Sequence, residues 1–369
     1  MLTPFYSKPD PVFVRGQGCW LWDSNGRDYI DCINGVGSNI FGHCDPYLVD
    51  VLHKQATTLW QVSNQLTELQ RTQYAERLCT IAKMDTVFFQ ASGSESIDLA
   101  LKLIQWNRSG SIVVVRNSFH GTTLASTVVS QWPGAADGLG SVMPVIYVDD
   151  NIQSLYILHN QPIAAVIIEP VLGMGGARAL DFSFISALIA IAREKNALVI
   201  SDECQCGFYR CGGISVLQDL GFTPDILVLS KGLANGVPLG ACLFNNDLVI
   251  KRHGSTYGGT AIACAVANGV LDKLSNTNLV TVRELIQEKL SQLSQLQSVK
   301  QVRCYGNMIG IELNCDVEDA WKRSVDHGVL TIRSATSTLR LMLPLNINAS
   351  ELDILVERLT GALESCVSI

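Results

Sequence analysis

A lysine at the end of an apolar run is the residue in this chain best suited to covalent chemistry. Lys231 follows Ile226-Leu-Val-Leu-Ser230 and opens onto Gly232. A short apolar run bounded by turn residues reads as a buried strand. A lysine leaving such a strand is partly desolvated, which favours the neutral amine that attacks carbonyls. Alone it reads as readily as a surface lysine closing a strand. Ala197-Leu-Val-Ile-Ser201 is a second run of this kind, and it ends in Asp202-Glu203. Carboxylates there are costly unless a cation meets them. A protonated pyridine nitrogen is one such cation; a helix cap or a salt bridge is the commoner use of a single strand-end aspartate. Thr86 to Gln90 reads as a third strand, followed by Ala91-Ser-Gly-Ser94 and a helical pattern with Ile97, Leu101 and Ile104 on one face. Small residues at a strand-to-helix turn present backbone N–H groups to an anion, or else Ser92 or Ser94 simply caps the helix.

An amine, an acid for a ring nitrogen and an anion cradle are what pyridoxal 5'-phosphate requires of a protein. Further motifs point the same way. Phe13-Val-Arg-Gly16 and Leu21 to Tyr29 look like an N-terminal hairpin. Gly42-His-Cys-Asp-Pro46, Ser118-Phe-His-Gly121, Glu169-Pro-Val-Leu-Gly-Met-Gly-Gly176, Asp202-Glu-Cys-Gln-Cys-Gly-Phe-Tyr-Arg210, Pro238-Leu-Gly240 and His253-Gly-Ser-Thr-Tyr-Gly-Gly259 follow in order. Together with Ser92-Gly-Ser-Glu95 and Ser230-Lys-Gly232, they resemble the class III, ornithine-type aminotransferases almost from end to end. Within that family the acetylornithine and succinylornithine enzymes look most similar.

The resemblance implies a role for each residue. Lys231 would hold the cofactor as a Schiff base and shuttle the substrate proton, with Asp202 on the pyridine nitrogen. Gln205 would bond the phenolic oxygen, and Phe119 would stack on the ring. Ser92, Gly93 and Ser94 would cradle the phosphate, and His120 and Glu169 would belong to the same cofactor site. Thr256 would reach the phosphate of a neighbouring subunit, giving a homodimer with shared active sites. Arg340 would clamp a substrate carboxylate, as a planar fork of donors suits; Tyr6, Thr122 and Ser255 would complete the substrate site. The implied reaction is ping-pong transfer of an amino group from an ornithine-like or other amino acid to a keto acid. An epimerase, aminomutase or decarboxylase on the same scaffold is the alternative, and a PLP-binding homologue without activity is a third reading.

Three positions depart from the family pattern. Thr122 stands where an arginine usually follows Phe-His-Gly, and Met174 where a glutamate is usual. The family's arginine helps hold a second carboxylate, and its glutamate can pair with the carboxylate-binding arginine. The site thus loses one positive and one negative group together. Thr260 replaces an asparagine after Gly258-Gly259.

The elements that must position these residues alternate. Strands are expected at 86–90, 112–116, 164–169, 197–201 and 226–230, separated by helical patterns. This implies an α/β fold with a mainly parallel sheet and helices on both faces; the resemblance makes it the type I fold of PLP-dependent transferases. Ligands of such sheets bind beyond the carboxyl ends of the strands, where Glu169, Asp202 and Lys231 fall. A helical period carries Leu279, Val282, Leu285, Ile286, Leu290 and Leu293. Strands are expected at 308–313 and 338–343, with a terminal helix after Ser350. The expected domains are an N-terminal hairpin segment at 1–40 packing on the small domain, a large cofactor-binding domain at 41–259 and a small α+β domain at 260–369.

With 369 residues, 47% hydrophobic and only 17% charged, the chain can bury a large core and an extensive subunit interface. Its net charge of −7 and the lack of a basic stripe argue against nucleic-acid binding. No apolar run reaches the length of a membrane span, and the first residues lack a signal peptide's apolar core, so a cytoplasmic location is expected. The 12 cysteines are scattered, often within apolar runs. Cys204, Cys206 and Cys211 lack a fourth ligand at zinc-motif spacing, so no metal is expected.

Overall fold

The computed structural model describes residues 11–131, 134–140, 143–364 and 366. It opens with three short strands, β1 (Phe13–Gln17), β2 (Trp20–Asp23) and β3 (Asp28–Asp31), antiparallel in sequence order. Helices α1 (Pro46–Ala56) and α2 (Leu69–Ala82) follow, the first capped by Asp45, whose carboxylate accepts from the Leu48 N–H. The alternating stretch is β4 (Thr86–Gln90), α3 (Gly93–Asn107), β5 (Ser111–Val115), α4 (Leu124–Val128), β6 (Val145–Val148), β7 (Ile163–Ile168), the small pair β8 (Val171–Leu172) and β9 (Arg178–Ala179), α5 (Phe182–Glu194), β10 (Leu198–Asp202), α6 (Val216–Asp219), β11 (Ile226–Leu229) and β12 (Gly240–Phe244). The last third holds α7 (Ala261–Leu274), α8 (Leu279–Ser291), β13 (Val299–Tyr305), β14 (Met308–Leu313), α9 (Val317–Asp326), β15 (Val329–Leu330), β16 (Ile332–Ser334), β17 (Thr338–Met342) and α10 (Ala349–Glu364).

The central sheet has seven strands in the order β4-β12-β11-β10-β7-β5-β6. From β11 to β6 every pair is parallel, while β12 runs antiparallel to both β11 and β4. The sheet is therefore mixed, and two of its strands, β6 and β12, lie outside the expected set. Gly240-Ala-Cys-Leu-Phe244, which follows closely on Lys231, is a wholly buried strand.

Side-chain alternation explains the two helical faces. Val113, Val166 and Val199 point into one core with Phe184, Ile185 and Leu188 of α5. Val114, Ile167 and Ile200 point into another with Ile97, Leu101 and Ile104 of α3. Parallel strands covered on both faces read as continuous apolar runs, and β7, β10 and β11 are buried at every residue.

A second sheet, β13-β14-β17-β16, is antiparallel. Its core joins Ile309, Ile311, Leu339 and Leu341 to Ile286 and Leu290 of α8 and to Leu355 and Leu359 of α10. Leu293 falls just beyond α8, in a 3₁₀ turn. The N-terminal strands reach this region: β3 pairs in parallel with β15, and Ile30 and Cys32 lie in the same core. Among the described residues no helix is long and apolar enough to cross a membrane.

Candidate functional site

Three strand ends of the central sheet bring their next residues together. Asp202 closes β10, Glu169 follows β7, and Lys231 follows β11 after Ser230. Lys231 is half-buried and opens a 3₁₀ turn with φ at +33°. That left-handed region costs a residue with a side chain on the order of 1 kcal/mol and clusters at working sites. Ser230 holds the turn from behind, donating to the Leu239 carbonyl at 2.9 Å.

Asp202 is buried, and its Oδ2 lies 2.7 Å from His120 Nδ1. Its Oδ1 accepts from the Cys204 N–H at 3.1 Å. Burial pushes this carboxyl up, but the hydrogen bond and charge of His120 outweigh it and hold the group below its ordinary value. Asp202 is thus kept as an anion in a dry place. The partner it meets on this side is His120, through that hydrogen bond.

Glu169 is held differently. One oxygen accepts from the Phe119 N–H at 3.1 Å and the other from the Gly173 N–H at 3.0 Å. Burial, and then the charge of Asp202, push it up to about 7. The carboxyl ties the Phe119 loop to the loop after β7.

At the start of α3 the structure shows the serine cap weighed from the sequence. Ser92 caps α3: its hydroxyl accepts from the Glu95 N–H at 3.3 Å and donates to Glu95 Oε2 at 2.9 Å. Ser94 Oγ instead accepts from the Thr122 N–H at 3.1 Å, tying the turn to the His-Gly loop. Gly121, between them, has φ at +130°, and a Cβ there would lie 2.6 Å from Ser94 Oγ. A Cβ on Gly93 would lie 2.8 Å from Cys204 Sγ.

Two adjoining cavities share Phe119, Asp202, Cys204 and Lys231. The smaller, about 250 Å³, is floored by Ser92, Gly93, Ser94 and His120. The larger, about 530 Å³, adds Thr122, Glu169, Met174, Gln205 and Arg340. Arg340 is buried on β17, and burial lowers its guanidinium to about 10. Its Nη1 donates to Gln205 Oε1 at 2.8 Å. Among the described residues no carboxylate forms an ion pair with it, and Met174 lines the same cavity.

Not every expected residue arrives here. Ser255 and Thr256 line a different hollow with His253 and Lys102, and Thr256 is exposed. Their carbonyls are held by Asn64 and Gln61. Tyr6 lies outside the described residues. Thr260 does what an asparagine would do, capping α7 by accepting from the Ala263 N–H at 3.2 Å. Sequence reasoning missed the outer wall of the larger cavity: Ile33, Val36, Trp321, Ile332 and Arg333. Arg333 was legible in principle, as an arginine seven residues before Arg340 on the neighbouring strand of one hairpin. Arg178, another cation in the sequence near this site, is engaged with Asp150.

The family model for aminotransferase class III matches residues 6–363. Acetylornithine aminotransferase from Clostridium acetobutylicum is 33% identical over 370 residues, covering 94% of this chain and 95% of that protein. Ornithine aminotransferase 1 from Staphylococcus saprophyticus is 32% identical and covers 97% of this chain and 96% of its own length. Among solved structures, the ornithine aminotransferase of Toxoplasma gondii superposes with a TM-score of 0.91 at 26% identity, over 99% of this chain and 92% of that one. The omega transaminase of Pseudomonas jessenii in complex with PMP gives 0.89 at 25% identity, over 99% and 96%.

Proposed function

The chain belongs to the class III aminotransferases, PLP-dependent enzymes, and on that premise we propose that Lys231 carries the cofactor and moves the substrate proton during ping-pong amino transfer. The donor is an ornithine-like or other amino acid and the acceptor a keto acid. One observation carries this reading: an amine, a buried anion and a glycine-serine helix start line the smaller cavity, which shares Lys231 and Asp202 with the larger one. The residues fit pyridoxal phosphate. Asp202 is a buried carboxylate kept ionised, suited to a pyridine N–H. The N–H groups of Gly93 and Ser94 open α3 beside it, suited to a phosphate.

When bound, the cofactor supplies an electron sink for the pair left at the substrate Cα. The protein's own residues do the rest. Asp202 would hold the ring nitrogen protonated, with His120 keeping the carboxylate oriented. Gln205, its Oε1 taken by Arg340, has its NH₂ to offer the phenolic oxygen. Phe119, its backbone fixed by Glu169, would pack on the ring. Lys231 would be the group that accepts the proton from the substrate Cα and carries it. Arg340 binds the α-carboxylate, and Met174 leaves it without an internal carboxylate to compete.

Thr122 removes the fixed charge for a second carboxylate. We therefore infer weaker use of glutamate and 2-oxoglutarate than in ornithine-type relatives, and better relative use of partners with one carboxylate and an apolar remainder. The apolar outer wall of Ile33, Val36, Trp321 and Ile332 supports that preference. A panel of amines and keto acids, followed through the cofactor's absorbance, tests the reading. Turnover without any keto-acid requirement would favour an epimerase, aminomutase or decarboxylase instead.

The working unit we propose is a cytoplasmic homodimer. Leu59, Trp60, Leu66, Leu69 and Tyr257 are exposed apolar side chains along the segments that hold Ser255 and Thr256. Such a strip is expected of a subunit interface. It would carry Thr256 to the partner's phosphate.

A further inference from the structure

The larger cavity has two arginines, and only the inner one has been given a substrate. Arg340 sits on β17, directly opposite Ile332 of the edge strand β16. Arg333, the next residue on the edge strand β16, also lines the cavity. There its guanidinium lies 4.4 Å from the centre of the Trp321 ring, which also lines the cavity. A guanidinium so stacked is oriented and partly desolvated. It already receives a carboxylate, that of Glu318 on α9. That carboxylate is shared with Lys322 at 3.5 Å and is about two-fifths exposed, so a competing anion can take its place at small cost. Between the two arginines the wall is Ile332, with Trp321 and Val325 beside it.

The geometry points to Arg333 as the residue that reads the far end of the substrate: it takes the terminal carboxylate of an amino or keto acid whose two carboxylates are separated by an apolar stretch, with Glu318 as the stand-in anion it releases. Resting on the transamination reading above, this names a substrate class for the same cavity. Thr122 lies on the other side of the site, bonded to the phosphate turn. A short dicarboxylate such as glutamate loses the charge that Thr122 replaces. A longer one spans from Arg340 to Arg333 along apolar wall. When no such substrate is present, the Arg333–Glu318 pair keeps the mouth neutral, so a monocarboxylic partner enters without meeting an uncompensated charge.

The test compares matched pairs on the holoenzyme: 2-aminosuberate against 2-aminooctanoate, and 2-aminopimelate against 2-aminoheptanoate. Wild type is expected to prefer the dicarboxylic member in kcat/KM. Arg333→Gln should cut that preference roughly tenfold, the lower end expected of a lost charge-assisted bond at a partly exposed site. Arg333→Lys should restore part of it, and Glu318→Gln should raise it about two- to fivefold. Arg178→Gln, whose side chain pairs with Asp150 outside the cavity, serves as the control for net charge. A wild-type preference for the monocarboxylic member, or an Arg333→Gln preference within twofold of wild type, overturns the assignment. Calorimetric binding of suberate against octanoate separates this from the reaction class. If no amine and keto acid turn over, the transamination reading fails, while tighter suberate binding that is lost in Arg333→Gln still upholds Arg333 as the anion reader. Equal suberate binding by the two proteins sinks it.

Discussion

Arg340 and Gln205 are bonded to each other, Nη1 to Oε1 at 2.8 Å, although the one is proposed for the substrate and the other for the cofactor. The bond spans two parts of the fold, since Arg340 lies on β17 and Gln205 on the turn after β10. It also fixes the amide, because with Oε1 engaged the NH₂ is the end left to face a phenolic oxygen. Among the described residues Arg340 Nε is buried without a partner, so the guanidinium retains a donor for a carboxylate. Gly173 makes the bond possible. A Cβ on Gly173 would lie 1.8 Å from Gln205 Oε1 and 3.0 Å from Arg340 Nη1.

Gly173→Ala is therefore expected to push Gln205 off Arg340. A displacement near 1 Å at a reacting site costs about 100-fold in rate. We expect kcat/KM to fall by about that factor with the cofactor still bound. Steady-state kinetics beside the cofactor absorbance would measure it; a loss below threefold would mean that the Arg340–Gln205 bond is dispensable.

Lys231→Ala should remove both the covalent hold on the cofactor and the proton carrier. The visible absorbance of the bound cofactor should be lost along with nearly all turnover. Undiminished turnover in the pure variant would end the mechanism. Alanine keeps the Cβ that makes φ +33° costly, so the backbone strain at this position is expected to be unchanged by the substitution.

Much of this site was legible because its residues sit at strand ends, where apolar runs stop abruptly. Asp202, Glu169 and Lys231 each follow such a run, and the sheet brings them together as its topology requires. The antiparallel β12 was not legible. Its run, Gly240 to Phe244, begins in a glycine-rich turn, and periodicity cannot give strand direction. The outer wall was hidden for another reason. Trp321 and Arg333 belong to the C-terminal α+β region, and nothing local to either residue says that it faces the cavity beyond the large sheet. The role of His120 was half-legible: its motif marked it, but only the fold shows its bond to Asp202.

Glu169 gives a pH dependence with a definite sign. Its pKa rises from 4.5 to about 7 in the folded chain. Between those values the folded protein binds more protons than the unfolded one, so stability falls as pH rises. The contribution is full below pH 4.5 and is lost as pH passes through 7, on the order of 3 kcal/mol in all. Urea midpoints of cofactor-free protein, taken from pH 5 to 8, should therefore decline more steeply for wild type than for Glu169→Gln. Parallel slopes in the two proteins would exclude Glu169 as the group responsible.

Thr122→Arg should return a charge to the loop beside the phosphate turn. A charge-assisted hydrogen bond contributes roughly 1.5–3 kcal/mol, and an exposed position such as this one takes the lower end. Glutamate use should then rise about tenfold in kcat/KM relative to alanine. Strong glutamate preference in wild type, with no response to Thr122→Arg, would show that the second carboxylate is read elsewhere. Arg178 and His120 are poor substitutes, being engaged with Asp150 and Asp202.

Subunit sharing can be tested by complementation. Within one chain Thr256 lies in a hollow apart from Lys231, with His253 and Lys102 as neighbours, and exposed apolar side chains run alongside it. If Thr256 serves the partner's phosphate, Thr256→Asp places a negative charge against that phosphate and inactivates the neighbouring site. Lys231→Ala inactivates its own site. A mixed dimer then has one site with both defects and one with neither. Mixing the two inactive proteins under conditions of subunit exchange should restore up to about half of the per-site activity in each heterodimer, or about a quarter of wild type across a random mixture, since half the dimers are mixed. The expected gain appears only after exchange and scales with the heterodimer fraction seen by native mass spectrometry. Heterodimers that form without regaining activity would place Thr256 in its own subunit's site, and a fully active monomer in sedimentation would dismiss the shared site altogether.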